Sequence, residues 1–277
     1  MLITLPNANF AATGLGQVTR LINGMPQADL VGLWLFDEGN DGDPVNSVAD
    51  RSGLGNHATL RANWPAGVRR SYGMEVPTNE GTALQTAIPV NPNGQLLTVF
   101  VAGANTLPGS EPSTYNNWVG STANTGMSLP TDAHTSGPSL VMNYTGDDTT
   151  PRWQLFDSLS DMIGQPVLAQ SADQPDYNEP SIAAIETDGL NNTAKLHVLG
   201  APSLSITNAA IGTFYDGVTN RGNLEFGPWP YAASRSAAST IAHVYAVAAY
   251  ARTFTETEAQ AHMAYMRTIA EAKGVTF

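Results

Sequence analysis

Apolar residues recur along this chain in short runs broken by Gly, Pro, Asn and Asp. The spacing predicts strands at Leu30–Phe36, Ala58–Leu60, Tyr72–Val76, Thr82–Leu84, Leu96–Ala102, Asn117–Val119, Ser139–Tyr144, Arg152–Phe156, Ser181–Thr187, Ala194–Val198, Asn223–Phe226 and Ile241–Tyr250. Many short strands with turn residues between them are the pattern of an all-β sandwich. In Leu96–Ala102 the β-branched and aromatic residues favour strand over helix. Ile185–Leu190 followed by Lys195–Val198 reads as a hairpin, with Asp188 and Gly189 in its turn. Trp34, Phe100 and Trp153 fall in strand patterns and are expected in the core. The stretches 103–138 and 157–180 read as loop-rich, and long loops on a rigid scaffold are where binding residues gather.

The period changes once, near the C-terminus. Thr255 and Glu258 form a T-x-x-E capping box, which satisfies two backbone N–H groups at a helix start. Met263, Met266, Ile269 and Ala270 then recur at helical spacing, and Lys273-Gly274 marks a stop. One helix over 255–273 is expected on the sandwich. At the other end, residues 1–28 have a single weak apolar stripe, Leu15, Val18, Leu21 and Ile22. They read equally as an extended arm that docks on a neighbouring subunit or as a first edge strand with a linker. The remainder, 29–277, is expected to be one domain.

Composition narrows the function classes. Charged residues make up 13% of the chain, and 24 acidic residues outnumber 12 basic ones. Phosphate-backbone binding needs clustered Lys and Arg, so nucleic acid and anionic membrane surfaces are disfavoured partners. There is no cysteine, which excludes disulfides and Cys-ligated zinc. Met1–Pro6 has neither a basic n-region nor a long apolar h-region, so no signal peptide is expected. No apolar run of ~18 residues occurs, so no membrane insertion is expected.

Two stretches carry a family resemblance. Val31–Phe36 runs into the acidic turn Asp37-Glu38-Gly39, and then into Asp50-Arg51-Ser52-Gly53-Leu54-Gly55-Asn56-His57. The second is Tyr250-Ala251-Arg252-Thr253-Phe254-Thr255-Glu256-Thr257-Glu258. The first resembles the W-x-F-D-E and D-x-S-G-x-x-N opening of laminin-G-like, concanavalin A-like domains. The second resembles their closing Y-x-R-x-L-T-x-x-E motif, with Phe254 in place of leucine. The resemblance spans about residues 29–274. It implies a jelly-roll sandwich of two antiparallel sheets, of the kind found in bacteriophage structural proteins. It further implies a non-enzymatic virion protein, synthesised in the host cytoplasm, whose lectin-like face contacts host surface glycan. Other virion proteins would be met through the arm, and the particle form would be a homo-oligomer. A decoration or cementing protein without sugar binding, and a glycan-degrading enzyme, are the alternatives.

Candidate site residues follow from chemistry. Sugars stack their C–H faces on aromatic rings and pair their hydroxyls with amides. Two clusters offer this in loop contexts: Tyr115, Asn116, Asn117 and Trp118, and Trp229 with Tyr231 between prolines. Packing is the leading alternative for each: Trp118 would begin a core strand and Trp229 would plug the sandwich edge. Glycoside hydrolysis needs two carboxylates on one face. The E-x-D-x-E-type run of glucanases sharing the sandwich is absent, and in Glu186/Asp188 the second acid is better read as a turn residue. Calcium is the one cofactor the resemblance admits. Asp37, Asp50, Asp147 and Asp148 are its main candidate ligands, with Asp157 and Asp176 behind them. The strand Ile241–Val247 lacks the acid that the family often places there, and Asp37 and Asp50 fit turn capping as well. The five histidines show no metal-ligand spacing.

Overall fold

A computed structural model describes residues 25–62, 64–77, 82–89, 96–106, 116–121, 138–143, 152–157, 167–170, 179–207, 223–227 and 241–277. The first half contributes β1 (Leu30–Trp34), β2 (Pro44–Val45), β3 (Ser47–Val48), β4 (Ala58–Leu60), β5 (Gly67–Arg70), β6 (Gly73–Pro77), β7 (Leu84–Pro89), β8 (Leu96–Thr106) and β9 (Asn116–Ser121). Then come β10 (Pro138–Asn143), β11 (Arg152–Asp157), β12 (Val167–Gln170), β13 (Ser181–Asp188), β14 (Thr193–Val198), β15 (Leu204–Thr207), β16 (Asn223–Phe226), β17 (Ile241–Tyr250) and the helix α1 (Glu256–Glu271). They form two antiparallel sheets, one of nine strands and one of eight. The fold is thus the all-β sandwich with one C-terminal helix that the pattern predicts.

The nine-stranded sheet runs β15-β14-β13-β8-β17-β6-β5-β2, and the eight-stranded sheet runs β12-β11-β10-β9-β16-β7-β4-β3. In the first, β17 pairs with β8 along one side; its other side is shared by β6 at Ile241–Val244 and β1 at Val247–Tyr250. Alternation explains why Val99–Ala102 of β8 and Val244–Tyr250 of β17 are apolar at every position rather than at every second one. Val99, Val101, Val247 and Ala249 face the other sheet, where Trp34 and Phe36 pack on Phe226 at ring distances of 5.0 and 5.8 Å. Phe100, Ala102, Ala246, Ala248 and Tyr250 face the opposite way, onto α1. A sheet covered on both faces reads as a continuous hydrophobic run.

The helix presents Ala259, His262, Met263, Met266 and Ala270 to that second core. Thr255 caps it, and the reciprocal capping box with Glu258 is formed as expected. Gln260 clamps the β14–β15 connection: its Oε1 accepts from Gly200 N at 3.0 Å, and its Nε2 donates to the Val198 and Ala201 carbonyls. Ahead of β1, Met25 packs in the helix-side core, and the Tyr250 hydroxyl donates to Pro26 O. Residues 1–24, the bulk of the expected arm, lie outside the described residues.

The loop expectation needs correction in two places. β9 and β12 lie within the stretches 103–138 and 157–180. Asn116, Asn117 and Trp118 sit on a strand between β10 and β16, in keeping with the strand expected at Asn117–Val119 and not with the loop context given to the cluster. Neighbouring strands on both sides override the turn preference of the asparagines. Trp34 and Phe100 are buried as expected.

Candidate functional site

The acidic turn after β1 and the turn before β4 close on each other. Asp50 Oδ1 accepts from Leu33 N at 3.0 Å and Ser52 N at 2.8 Å. Its Oδ2 accepts from Ser52 Oγ at 2.7 Å and Asn56 N at 3.0 Å. The Asp50 N–H donates to His57 Nδ1, Asn56 Nδ2 donates to Val31 O, and Trp34 Nε1 donates to Asn56 O. Gly53 and Gly55, both at positive φ, let the chain turn tightly enough for this. Asp37 is held by Arg51 at 2.7 Å, and Glu38 by the same guanidinium at 3.1 Å. Both oxygens of Asp50 are thus taken by protein donors, and Asp37 is ion-paired. The two build the turn. Among the described residues no cluster of three or more metal-ligating side chains occurs. Asp147, Asp148 and Asp176 lie outside the described residues, and Asp157 ends β11.

The outer face of the eight-stranded sheet carries a buried polar group between β4, β7 and β16. Leu224 and Phe226 point into the core, so Glu225 between them points outward. It is nonetheless 0% exposed. Gln85 Nε2 donates to Glu225 Oε1 at 2.8 Å, and Arg61 Nη1 lies 3.6 Å from the same oxygen. Thr59 and Gly120 are level with this group in the register of β4, β7, β16 and β9. Trp64, 8% exposed, packs with Ala83 and Leu60 at the same end. Sequence reasoning missed Glu225 and Trp64. The alternation in Asn223-Leu224-Glu225-Phe226 carried the signal for the first.

Register also sets the start of β9 beside the end of β16. Phe226 pairs with Val119 and Leu224 with Ser121, antiparallel. β16 therefore ends at the end of the sheet where β9 begins with Asn116 and Asn117. The β9–β10 register shifts between Leu140/Val119 and Val141/Asn117, leaving Trp118 as the extra residue of a bulge. Bulges are common beside binding sites, where they re-aim the strand. Tyr115, Trp229 and Tyr231 themselves lie outside the described residues.

Two further titratable clusters sit on the nine-stranded sheet. On its outer face, Glu75 accepts from the Tyr72 hydroxyl and from Arg70 Nε at 2.6 Å. His243 Nδ1 lies 3.1 Å from the Tyr72 oxygen, and its Nε2 lies 3.0 Å from Thr106 Oγ1. Burial opposes ionisation of Glu75, but the bonds from Tyr72 and Arg70 outweigh it and hold the carboxyl below its ordinary range. Burial, and then the bond to Glu75, push the Tyr72 phenol upward. A phenol kept protonated at neutral pH is a donor here, not a nucleophile. At the root of α1, Glu186 accepts from Lys195 Nζ at 2.5 Å and Phe254 N at 2.6 Å. His197 Nδ1 lies 2.7 Å from Ser203 Oγ, and its Nε2 lies 3.5 Å from Glu186. The Ser–His–Glu succession resembles a hydrolase relay, but His197 is fully buried and both Glu186 oxygens are committed. This cluster anchors the helix start to the sheet.

No family model matches the chain, and no curated protein matches it in sequence. Solved structures match its fold. Trypanosoma rangeli sialidase in complex with 2,3-difluorosialic acid superposes with a TM-score of 0.57 at 14% identity, covering 88% of this chain and 34% of the sialidase. The botulinum neurotoxin serotype C1 binding domain gives 0.55 at 8% identity, covering 86% of this chain and 52% of that one. The botulinum neurotoxin serotype D ligand binding domain, in complex with N-acetylneuraminic acid, gives 0.50 at 10% identity, covering 86% and 51%. The chain spans about a third of the sialidase and half of each toxin chain. At these identities the likeness is one of fold.

Proposed function

We propose that this protein is a non-enzymatic, lectin-like carbohydrate-binding module. The observation that carries this reading is the β9–β16 register. It sets the Asn116-Asn117 start of β9 beside the end of β16, where Gly227 follows. Amides and aromatic rings are the chemistry of sugar recognition, and the sequence offers them in Asn116, Asn117, Trp118, Trp229 and Tyr231. The fold it shares with a ligand binding domain solved with N-acetylneuraminic acid supports the reading. Binding is favoured over hydrolysis because Glu225 is the one carboxylate among the described strand side chains of that sheet's outer face, and hydrolysis needs a pair. The setting we propose, a phage particle displaying the module through residues 1–28, rests on the motifs at 31–60 and 250–258.

The test is a glycan array probed with the multivalent protein, since avidity raises weak single-site contacts 10²–10⁴-fold. Binding that Trp229→Ala removes, with an unchanged melting temperature, supports the module. A melting temperature that falls steeply assigns Trp229 to packing, where truncation costs ~3–5 kcal/mol. No binding to any glycan leaves a cementing role. The near-complete burial of Trp64 and Glu225 on the same face favours that second reading. Release of sugar products from polysaccharide would instead establish an enzyme.

A further inference from the structure

We propose that α1 is an acid-released latch, with His262 as its trigger. The helix closes the outer face of the nine-stranded sheet, and its buried stripe is apolar except at this one position. His262 is 1% exposed, and neither ring nitrogen has a hydrogen-bond partner. Its imidazole lies among aromatic rings: Phe100 at 4.2 Å, Tyr250 at 5.0 Å and Phe254 at 5.9 Å between centroids. Such a site fits a neutral ring and has nothing to accept a proton's charge. A phenylalanine or leucine would fill it at lower cost, because a buried polar group without partners is penalised.

The groups around His262 do not relieve this. Arg252, in the segment before the helix, stacks over Phe254 at 3.9 Å and adds a like charge. Tyr250 from β17 has its hydroxyl committed to Pro26 O. β8 contributes Phe100. On α1 itself, Glu258 is turned to Thr255 and Arg252, and Tyr265 follows one turn later. From β13 and β14, Glu186, Lys195 and His197 form the closed cluster at the helix root. Burial, with Arg252 second, lowers His262 from its ordinary 6.5 to about 3.

The sign follows from linkage. The docked helix prefers neutral His262, and the undocked helix lets it protonate near its ordinary value. Docking is therefore undiminished above about pH 7 and weakens progressively as pH falls from 6.5 toward 3. Between pH 7 and pH 5 the docking equilibrium drops about 25-fold. Glu186 and Glu258 are held below their ordinary range, so they remain ionised in that window and join the loss only in stronger acid. Lys273, which donates to the Leu35 and Tyr245 carbonyls, holds the far end of the helix connection. Release uncovers Phe100 and Tyr250, the rings packed against His262.

The chain has no cysteine, so Met263→Cys introduces one thiol under the helix. Its reaction with 4,4′-dithiodipyridine, normalised to the denatured protein at each pH, reports undocking. The expected result is a rise of about 25-fold in relative reactivity from pH 7 to pH 5 with His262 present. With His262→Phe added, the profile should be flat over the same range. An equal rise in both proteins, or none in either, overturns the proposal. Should His262→Phe fail to fold, proton NMR of His262 in the native chain decides. A ring that titrates near its ordinary value while α1 stays packed sinks the latch; one that titrates only together with the loss of helix packing upholds it.

Discussion

At the scale of single residues, polar side chains here do architectural work that composition hides. Asp50 satisfies four donors, one of them the buried Leu33 N–H. Asp50→Ala leaves that group without a partner and should destabilise the protein by about 3 kcal/mol, read from a denaturant midpoint shift at unchanged slope. The loss should be the same with and without a calcium chelator; a chelator-dependent loss would make Asp50 a ligand. This residue was legible in the sequence because most of its partners lie within seven positions of it. Glu225 was not. Its partners Gln85 and Arg61 are more than a hundred residues away, and nothing in a four-residue strand reveals that an outward carboxylate is fully buried.

At the scale of elements, local signals were read correctly and borrowed ones were missed. The helix announced itself through its capping box and apolar stripe. Thr255→Ala should cost about 1 kcal/mol and lower the melting temperature by roughly 2–4 °C. β2 and β3 are two residues each, and β5 reads Gly-Val-Arg-Arg; partner strands, not propensity, hold them extended. The β5–β6 turn depends on one close approach that no pattern shows. A Cβ at Gly73 would sit 2.1 Å from the Val244 carbonyl oxygen. Gly73→Ala should therefore cost about 2–3 kcal/mol, in the range of overpacking, and disturb the neighbouring Tyr72–Glu75–His243 network. A melting temperature equal to that of the parent would show that β6 can shift away from β17 without loss.

At the scale of the whole molecule, the root of the proposed arm is fixed to the helix side. Met25 packs in the core beneath α1, and Ala251 N donates to Asp29 O. An arm deletion should accordingly be cut ahead of Met25. Removing residues 1–24 is expected to leave the melting temperature unchanged while abolishing assembly, measured by light scattering; assembly that persists would reduce the segment to a linker. The sandwich itself imposes an order of events in the cell. β17 is the strand on which β1, β6 and β8 all converge, and it spans positions 241–250 of 277. A growing polypeptide emerges from the ribosome with its first strand made and the seat for that strand not yet synthesised. The earlier strands must wait with bare hydrogen-bonding edges, the state in which chains stick to one another. Nascent copies of this protein therefore depend on chaperone cover until Ile241–Tyr250 has been made, and a product that stops before residue 241 has no route to the native sheet.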